Sequence, residues 1–234
     1  MKAPADTTRL QTLDRGLTAL SFVAEAPEGV TVAEIAERLG VHRAIAYRIV
    51  ATLADHAMVH RDPGGRIRLG SAPLALAARS GSGLRALSRP VIERLSAEAT
   101  ATAFVSVAVG DDCVAVATAE PDRTILNVGY RAGRRHPLSL GAAGIAILAG
   151  RPEGPDDPDA VRAARRNGYS VTRGELQRGA VGVAAPLRLS PDLHAGLEAS
   201  VGVVALEDLD VARAVRAVVA AAEEVSALMR RASP

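Results

Sequence analysis

The sequence predicts an α+β protein with an N-terminal winged helix-turn-helix, a linker helix and a C-terminal antiparallel sheet flanked by helices. Three observations predict it. Residues 31–53 read as two short amphipathic helices around a turn centred on Gly40. Pro63-Gly64-Gly65 is a strong turn signal between two short runs of strand type. Beyond residue 100 the apolar period changes from the 3.6 of a helix to the 2 of a strand.

The first helix is marked by Leu10, Leu13, Leu17, Leu20 and Ala24, which recur at helical spacing and stop before Pro27-Glu28-Gly29. Thr31 and Glu34 have the spacing of a capping box, hydroxyl and carboxylate closing the next helix start reciprocally. Val32, Ile35, Ala36 and Leu39 then form one buried stripe, and Gly40 suits the left-handed residue that ends a helix. The third helix starts near His42, with Ala46, Ile49, Val50 and Leu53 facing inward. Ala44, Arg48 and Ala51 point the opposite way, flanked by Ile45, Tyr47 and Thr52.

That outer face suits the DNA major groove. Ala44 and Ala51 are small enough for close approach, and Ile45 can touch a thymine methyl. Arg48 is the candidate for a base edge, against the alternative of a phosphate contact or a solvated side chain. Arg43 lies at the helix start, where backbone N–H groups also attract phosphate. Tyr47 is either a phosphate partner or a lid on the domain's own core. After Met58-Val59, the stretch His60–Leu69 reads as a β-hairpin wing. Ile67 and Leu69 alternate with Arg66 and Arg68, whose charges would lie along phosphates or in the minor groove.

Charge supports this reading locally. The chain has 234 residues and a formal net charge of only +2. Lys2 is its single lysine, so the basic residues are almost all arginine, the side chain suited to bidentate phosphate and guanine contacts. Between Arg38 and Gly70 six arginines face two aspartates. Most of the arginine excess reflects a coding bias that also enriches Ala, Val and Gly.

Ser71–Ser80 predicts a short connecting helix with Pro73 in its first turn, interrupted by Gly81-Ser82-Gly83. A further helix is expected from Pro90 to about Glu98. Strands are predicted at Ala103–Val109 and Cys113–Ala119, joined by a hairpin turn at Gly110-Asp111-Asp112, then at Thr124–Tyr130, Val181–Leu187 and Leu197–Leu206. Helices are predicted at Gly141–Ala149, ending at Arg162–Asn167, and at Asp208–Arg231. The expected organisation is a DNA-binding domain over residues 8–70, a linker over 71–89 and a second domain over 90–232.

No apolar run is long enough to span a bilayer, and Met1–Asp6 lacks a signal-peptide core, which suits a cytoplasmic protein. The single cysteine, Cys113, rules out an intrachain disulfide, and its apolar surroundings suit a buried bystander. His136, His194 and Cys113 show neither metal-ligand spacing nor a nucleophile elbow, so no enzyme is expected.

Taken together, the segments from Leu10 to Met229 resemble the IclR family of bacterial transcriptional regulators. In the first domain the resemblance is carried by Leu13–Leu17, Thr31–Leu39, Tyr47-Arg48, Thr52-Leu53 and Asp62–Gly70. In the second it is carried by Gly133–Leu138, Ala143–Ala149, Gly168–Val171 with Glu175, and Gly179–Pro186. The resemblance implies a winged helix-turn-helix on double-stranded operator DNA and a GAF-like domain that binds a small effector, often an organic acid or an aromatic metabolite. It also implies a homodimer, in many members paired into a dimer of dimers, with no cofactor. The implied effector positions are Gly141, Ala142, Thr172, Gly182 and Ser200.

Three departures from the family pattern matter. Ala44-Ile45 stand where Ser-Thr is usual, removing two hydroxyls suited to phosphate. The Pro/Asp-rich segment 150–160 is shorter than usual and suggests a pocket that is more open, smaller or lost. The implied effector positions are mostly small and weakly polar, with Arg134 or Arg135 as the available partners for a carboxylate. Two functions therefore compete: a regulator whose operator affinity a metabolite shifts, and an effector-independent DNA-binding oligomer whose second domain serves assembly.

Overall fold

The computed structural model describes residues 10–79, 83–121, 129–189, 196–206 and 208–232. It divides into two compact units, Met1–Gly81 and Ser82–Pro234.

The first unit holds α1 (Gln11–Ala24), α2 (Val32–Leu39), α3 (Arg43–Asp55), β1 (Val59–Arg61), β2 (Ile67–Leu69) and α4 (Ala72–Arg79). The Thr31 capping box forms as expected: the Thr31 hydroxyl accepts from the Glu34 N–H, and the Glu34 carboxylate accepts from the Thr31 N–H at 2.6 Å. Gly40 closes α2 at φ 61°, where a side chain would be strained. The core joins Ala19 and Val23 of α1, Ile35 of α2, Ala46, Ile49 and Val50 of α3, and Val59 and Ile67 of the hairpin. Val30 pairs with Ile67 through both backbone hydrogen bonds, a single bridge that ties the start of α2 to the wing. The α1 helix forms where its apolar spacing puts it, yet Leu10, Leu13 and Leu17 are exposed. Its buried contacts come from Ala19 and Val23, half a turn round the helix.

The second unit holds α5 (Leu84–Ala99), β3 (Thr102–Val109), β4 (Asp112–Ala119), β5 (Arg135–Pro137), α6 (Gly141–Gly150), α7 (Asp159–Asn167), β6 (Ser170–Arg173), β7 (Ala180–Pro186), β8 (Ala199–Leu206) and α8 (Val211–Arg231). Its six strands form one sheet in the order β5-β4-β3-β8-β7-β6, antiparallel throughout. Alternation sorts the side chains. Val105, Val183, Val201 and Val203 face α5 and α8, meeting Val91, Ile92, Val218 and Val225. Phe104, Cys113, Ala115 and Ala184 face α6, meeting Ala142, Ala143, Ala146 and Ile147. The unit is thus a sheet with helices on both faces, as the α+β reading expects.

Three elements differ from the sequence reading. Helix α5 starts at Leu84, six residues before Pro90, because Leu84 and Ser88 extend its buried stripe. Pro90, expected at the first turn, is inside the helix. The strands β5 and β6 were not expected, being too short to show a period. Of the strand expected at Thr124–Tyr130, residues 124–128 lie outside the described residues, and Gly129-Tyr130 form no strand.

Candidate functional site

The outer face of α3 carries Arg43, Ala44, Ile45, Tyr47, Arg48 and Thr52, all exposed. It is presented this way because the opposite positions, Ala46, Ile49 and Val50, are locked into the core. Tyr47 is 50% exposed and is no lid on that core. The Thr52 hydroxyl donates to the Arg48 carbonyl at 3.0 Å, one turn back, which leaves its oxygen free to accept. Among the described residues, neither Arg43 nor Arg48 is drawn into an ion pair. Ile45, Arg48 and Thr52 also line a broad groove against Leu13, Leu17 and Leu20 of α1.

The wing arginines are engaged within the protein. Arg66 donates to the Gly29 carbonyl at 2.6 Å. Arg68 donates to the Pro27 carbonyl and, through Nε, to the Asp62 carboxylate at 2.9 Å. These bonds tie the hairpin to the α1–α2 loop. They also hold the Asp62 carboxyl below its ordinary range, the Arg68 guanidinium acting first and the Arg66 N–H second. Arg66 and Arg68, expected along phosphates or in the minor groove, each use part of their donor set within the protein. Alternation along β2 gives no hint of carbonyls about forty residues earlier.

In the second unit a cavity of about 90 Å³ opens at the N-terminus of α6. Ala142, Thr172 and Gly182 of the expected effector positions line it. Gly182 makes the approach of β7 to α6 possible, since a Cβ there would sit 3.2 Å from the Ala142 methyl and 3.3 Å from the Thr172 hydroxyl. Gly141 lies at the rim, covered by Leu176. The structure does not bring Ser200 to the cavity. Its buried hydroxyl donates to the Ala143 carbonyl at 3.0 Å, and Ser170 does the same to Ala142 at 2.6 Å. The two serines clamp the first turn of α6 to the sheet, a role that spacing alone does not separate from ligand binding.

The polar end of the cavity was missed by the sequence reading. Tyr130 and His136 line it, both more than nine-tenths buried. The Tyr130 hydroxyl lies 3.3 Å from His136 Nε2 and 3.3 Å from the Ser106 hydroxyl. His136 Nδ1 is 3.0 Å from the Pro137 carbonyl, which can only accept. Nδ1 therefore donates to that carbonyl, and the Tyr130 hydroxyl bridges Nε2 and the Ser106 hydroxyl. Burial pushes the Tyr130 hydroxyl up to about 12 and the Cys113 thiol up to about 11, so both stay protonated. Phe104 packs against Tyr130 with centroids 4.9 Å apart and the rings tilted by 54°. Arg134 stands exposed at the mouth, and Arg135 instead faces Asp112 at 3.6 Å. Among the described residues no cluster of three metal-ligating side chains forms.

The short segment after α6 is pinned. Arg151 makes two hydrogen bonds to Glu198, at 2.9 and 2.6 Å. Asp157 accepts from the Gly154 N–H at 3.0 Å and from Arg165 at 2.8 Å. Val161 and Ala164 of α7 pack on Ile145 and Ala149. A cavity of about 90 Å³ is present beside α6 with this short segment in place.

Residues 12–63 match the IclR helix-turn-helix domain. The HTH-type transcriptional regulator Rv1719 of Mycobacterium tuberculosis is 31% identical over 156 residues, which cover 65% of this chain and 60% of that protein. The match thus spans about three fifths of that relative's length. An IclR transcriptional regulator from Alicyclobacillus acidocaldarius superposes with a TM-score of 0.76 at 23% identity, covering 94% of this chain and 99% of its own. An IclR homolog from Microbacterium hydrocarbonoxydans, solved in complex with 4-hydroxybenzoate, superposes with a TM-score of 0.75 at 20% identity over 94% and 99% of the two chains. The chain thus matches the IclR helix-turn-helix domain over residues 12–63 and shares its fold over nearly its full length with solved IclR regulators.

Proposed function

We propose that the protein is a DNA-binding transcriptional regulator that works in the cytoplasm as a homodimer or a dimer of dimers on double-stranded operator DNA. Its relatives are named transcriptional regulators, and none is named an enzyme. Among the described residues no helix is long and apolar enough to cross a membrane. The observation that carries the reading is the exposed face of α3. It combines small residues for close approach (Ala44), an apolar contact (Ile45), hydrogen-bonding groups (Tyr47, Thr52) and two arginines (Arg43, Arg48). Arg66 and Arg68 add positive charge beside it with the donors they do not use internally.

Operator affinity is set by a small effector in the cavity under α6, with Ala142, Thr172 and Gly182 in its wall and Gly141 at its rim. The relative bound to 4-hydroxybenzoate supports this reading. Coupling requires the effector to bind one dimer geometry better than another. The small cavity favours the second reading, an effector-independent oligomer, and one experiment separates the two. The affinity of the purified protein for its own upstream DNA is measured at fixed salt, with and without a panel of small carboxylic and aromatic acids. A shift of tenfold or more with one compound, a coupling of about 1.4 kcal/mol, supports the sensor. Tight specific binding that no compound alters supports the effector-blind oligomer. Absence of specific binding overturns the self-operator assignment.

A further inference from the structure

We propose that the loop between β6 and β7 is a latched strap that sets the size of ligand the cavity admits, with Glu175 as the latch and Leu176 as the plug. The proposal rests on the cavity being an effector site. The Glu175 carboxylate accepts the N–H of Gly141, the first residue of α6, at 2.8 Å. The neighbouring Leu176 lies over the same residue: a Cβ on Gly141 would stand 2.5 Å from Leu176 Cδ1. Both residues line the cavity, so a single movement of the loop removes latch and plug together.

The loop is bounded by glycines. Its ends, Gly174 and Gly179, have φ values of 70° and 78°, a region open to glycine. Its base is fixed by the Gly174 N–H donating to the Ala180 carbonyl at 2.8 Å. Leu176 is 39% exposed, so part of its side chain already faces solvent.

Size decides what the closed strap excludes. The cavity measures about 90 Å³. A dry cavity that takes up benzene measures roughly 150 Å³. A short acid of a few heavy atoms therefore fits with the strap closed, and any acid carrying a ring requires Leu176 to leave. Discrimination between the two lies in the strap and not in the cavity floor.

The test uses the full chain and two acids of equal charge, propionate and benzoate, titrated calorimetrically. Leu176→Ala is expected to tighten benzoate tenfold or more and to leave propionate within twofold. Amide exchange at Gly141 reads the latch without any ligand. Glu175→Ala is expected to speed it tenfold or more, and Glu175→Gln, which keeps a carbonyl acceptor, to fall between. Equal shifts for both acids, or no shift for benzoate, overturn the plug. Unchanged exchange at Gly141 in Glu175→Ala overturns the latch. If neither acid binds any variant, the effector reading for these acids and the plug are both overturned, and the exchange result decides the latch alone.

Discussion

Arg43 and Arg48 lie five residues apart on one exposed helix face, but their positions assign them different work. Arg43 is the first residue of α3, where backbone N–H groups and its own charge converge on a phosphate. Arg48 is mid-helix, on the face that would lie against base edges. Arg43→Ala is expected to weaken binding evenly across DNA sequences and to lower the salt slope by about one. Arg48→Ala is expected to cost about 1–3 kcal/mol against the preferred site and to relax specificity at one base position. Competition binding at two salt concentrations distinguishes them. Operator affinity and specificity unchanged by Arg48→Ala would place the docking face elsewhere. The capping box makes a separate, local prediction. Thr31→Ala removes the acceptor for the Glu34 N–H and should cost the first unit about 1 kcal/mol in thermal melting. This box was legible in sequence because donor and acceptor are three residues apart. The partners of Arg66 and Arg68 were not, because they are loop carbonyls that only the folded hairpin brings near.

At the scale of elements, the periodic segments were readable and the packing-determined ones were not. α2, α3, α8 and the central strands each carry a clear apolar period. α5 begins before its proline because tertiary burial of Leu84 and Ser88 overrides a local start signal. α1 shows the converse. Its regular leucines marked the helix, yet Leu10, Leu13 and Leu17 are exposed while Ala19 and Val23 are its buried residues. The candidate cavity was half legible: its glycine and alanine wall followed the family resemblance, and its Tyr130–His136 end was hidden because β5 is only three residues long. α6 yields a firm prediction. A Cβ on Gly144 would strike the backbone of Leu138, which cannot turn aside as a side chain can. Gly144→Ala is expected to destabilise the second unit by about 1–3 kcal/mol, read as a lower denaturant midpoint with unchanged slope.

For the whole molecule, acidity tests carboxylates in both units together. Asp62 in the first unit and Asp157 in the second are both held below their ordinary value of 3.8, and Glu34 below 4.5. Asp62 is held by Arg68 and the Arg66 N–H, Asp157 by the Gly154 N–H and Arg165, and Glu34 by the Thr31 N–H and hydroxyl. A depressed folded value means the folded state binds fewer protons than the unfolded one. The resulting stability is fully present above the unfolded values and is lost as pH falls through the folded ones. Melting temperature should therefore hold from pH 7 to about pH 5 and drop below that. Asp157→Asn should flatten the drop for the second unit and leave the first unit's profile unchanged. A fall in melting temperature beginning near pH 6 would point to histidine instead.

The sheet face beneath α6 is defined as much by absent side chains as by present ones. A Cβ on Gly202 would meet the Val183 carbonyl and the Phe104 ring, and one on Gly182 would press on the Ala142 methyl. With Gly144 set against Leu138, Gly144 and Gly182 fix how close the helix can come. A side chain at Gly202 or Gly144 strikes backbone, and one at Gly182 crowds the Ala142 methyl, so all three positions resist substitution. Arg134, Leu176 and Gln177 at the mouth carry no such constraint, so descendants of this chain would acquire new chemical preferences by altering the rim while inheriting the floor unchanged.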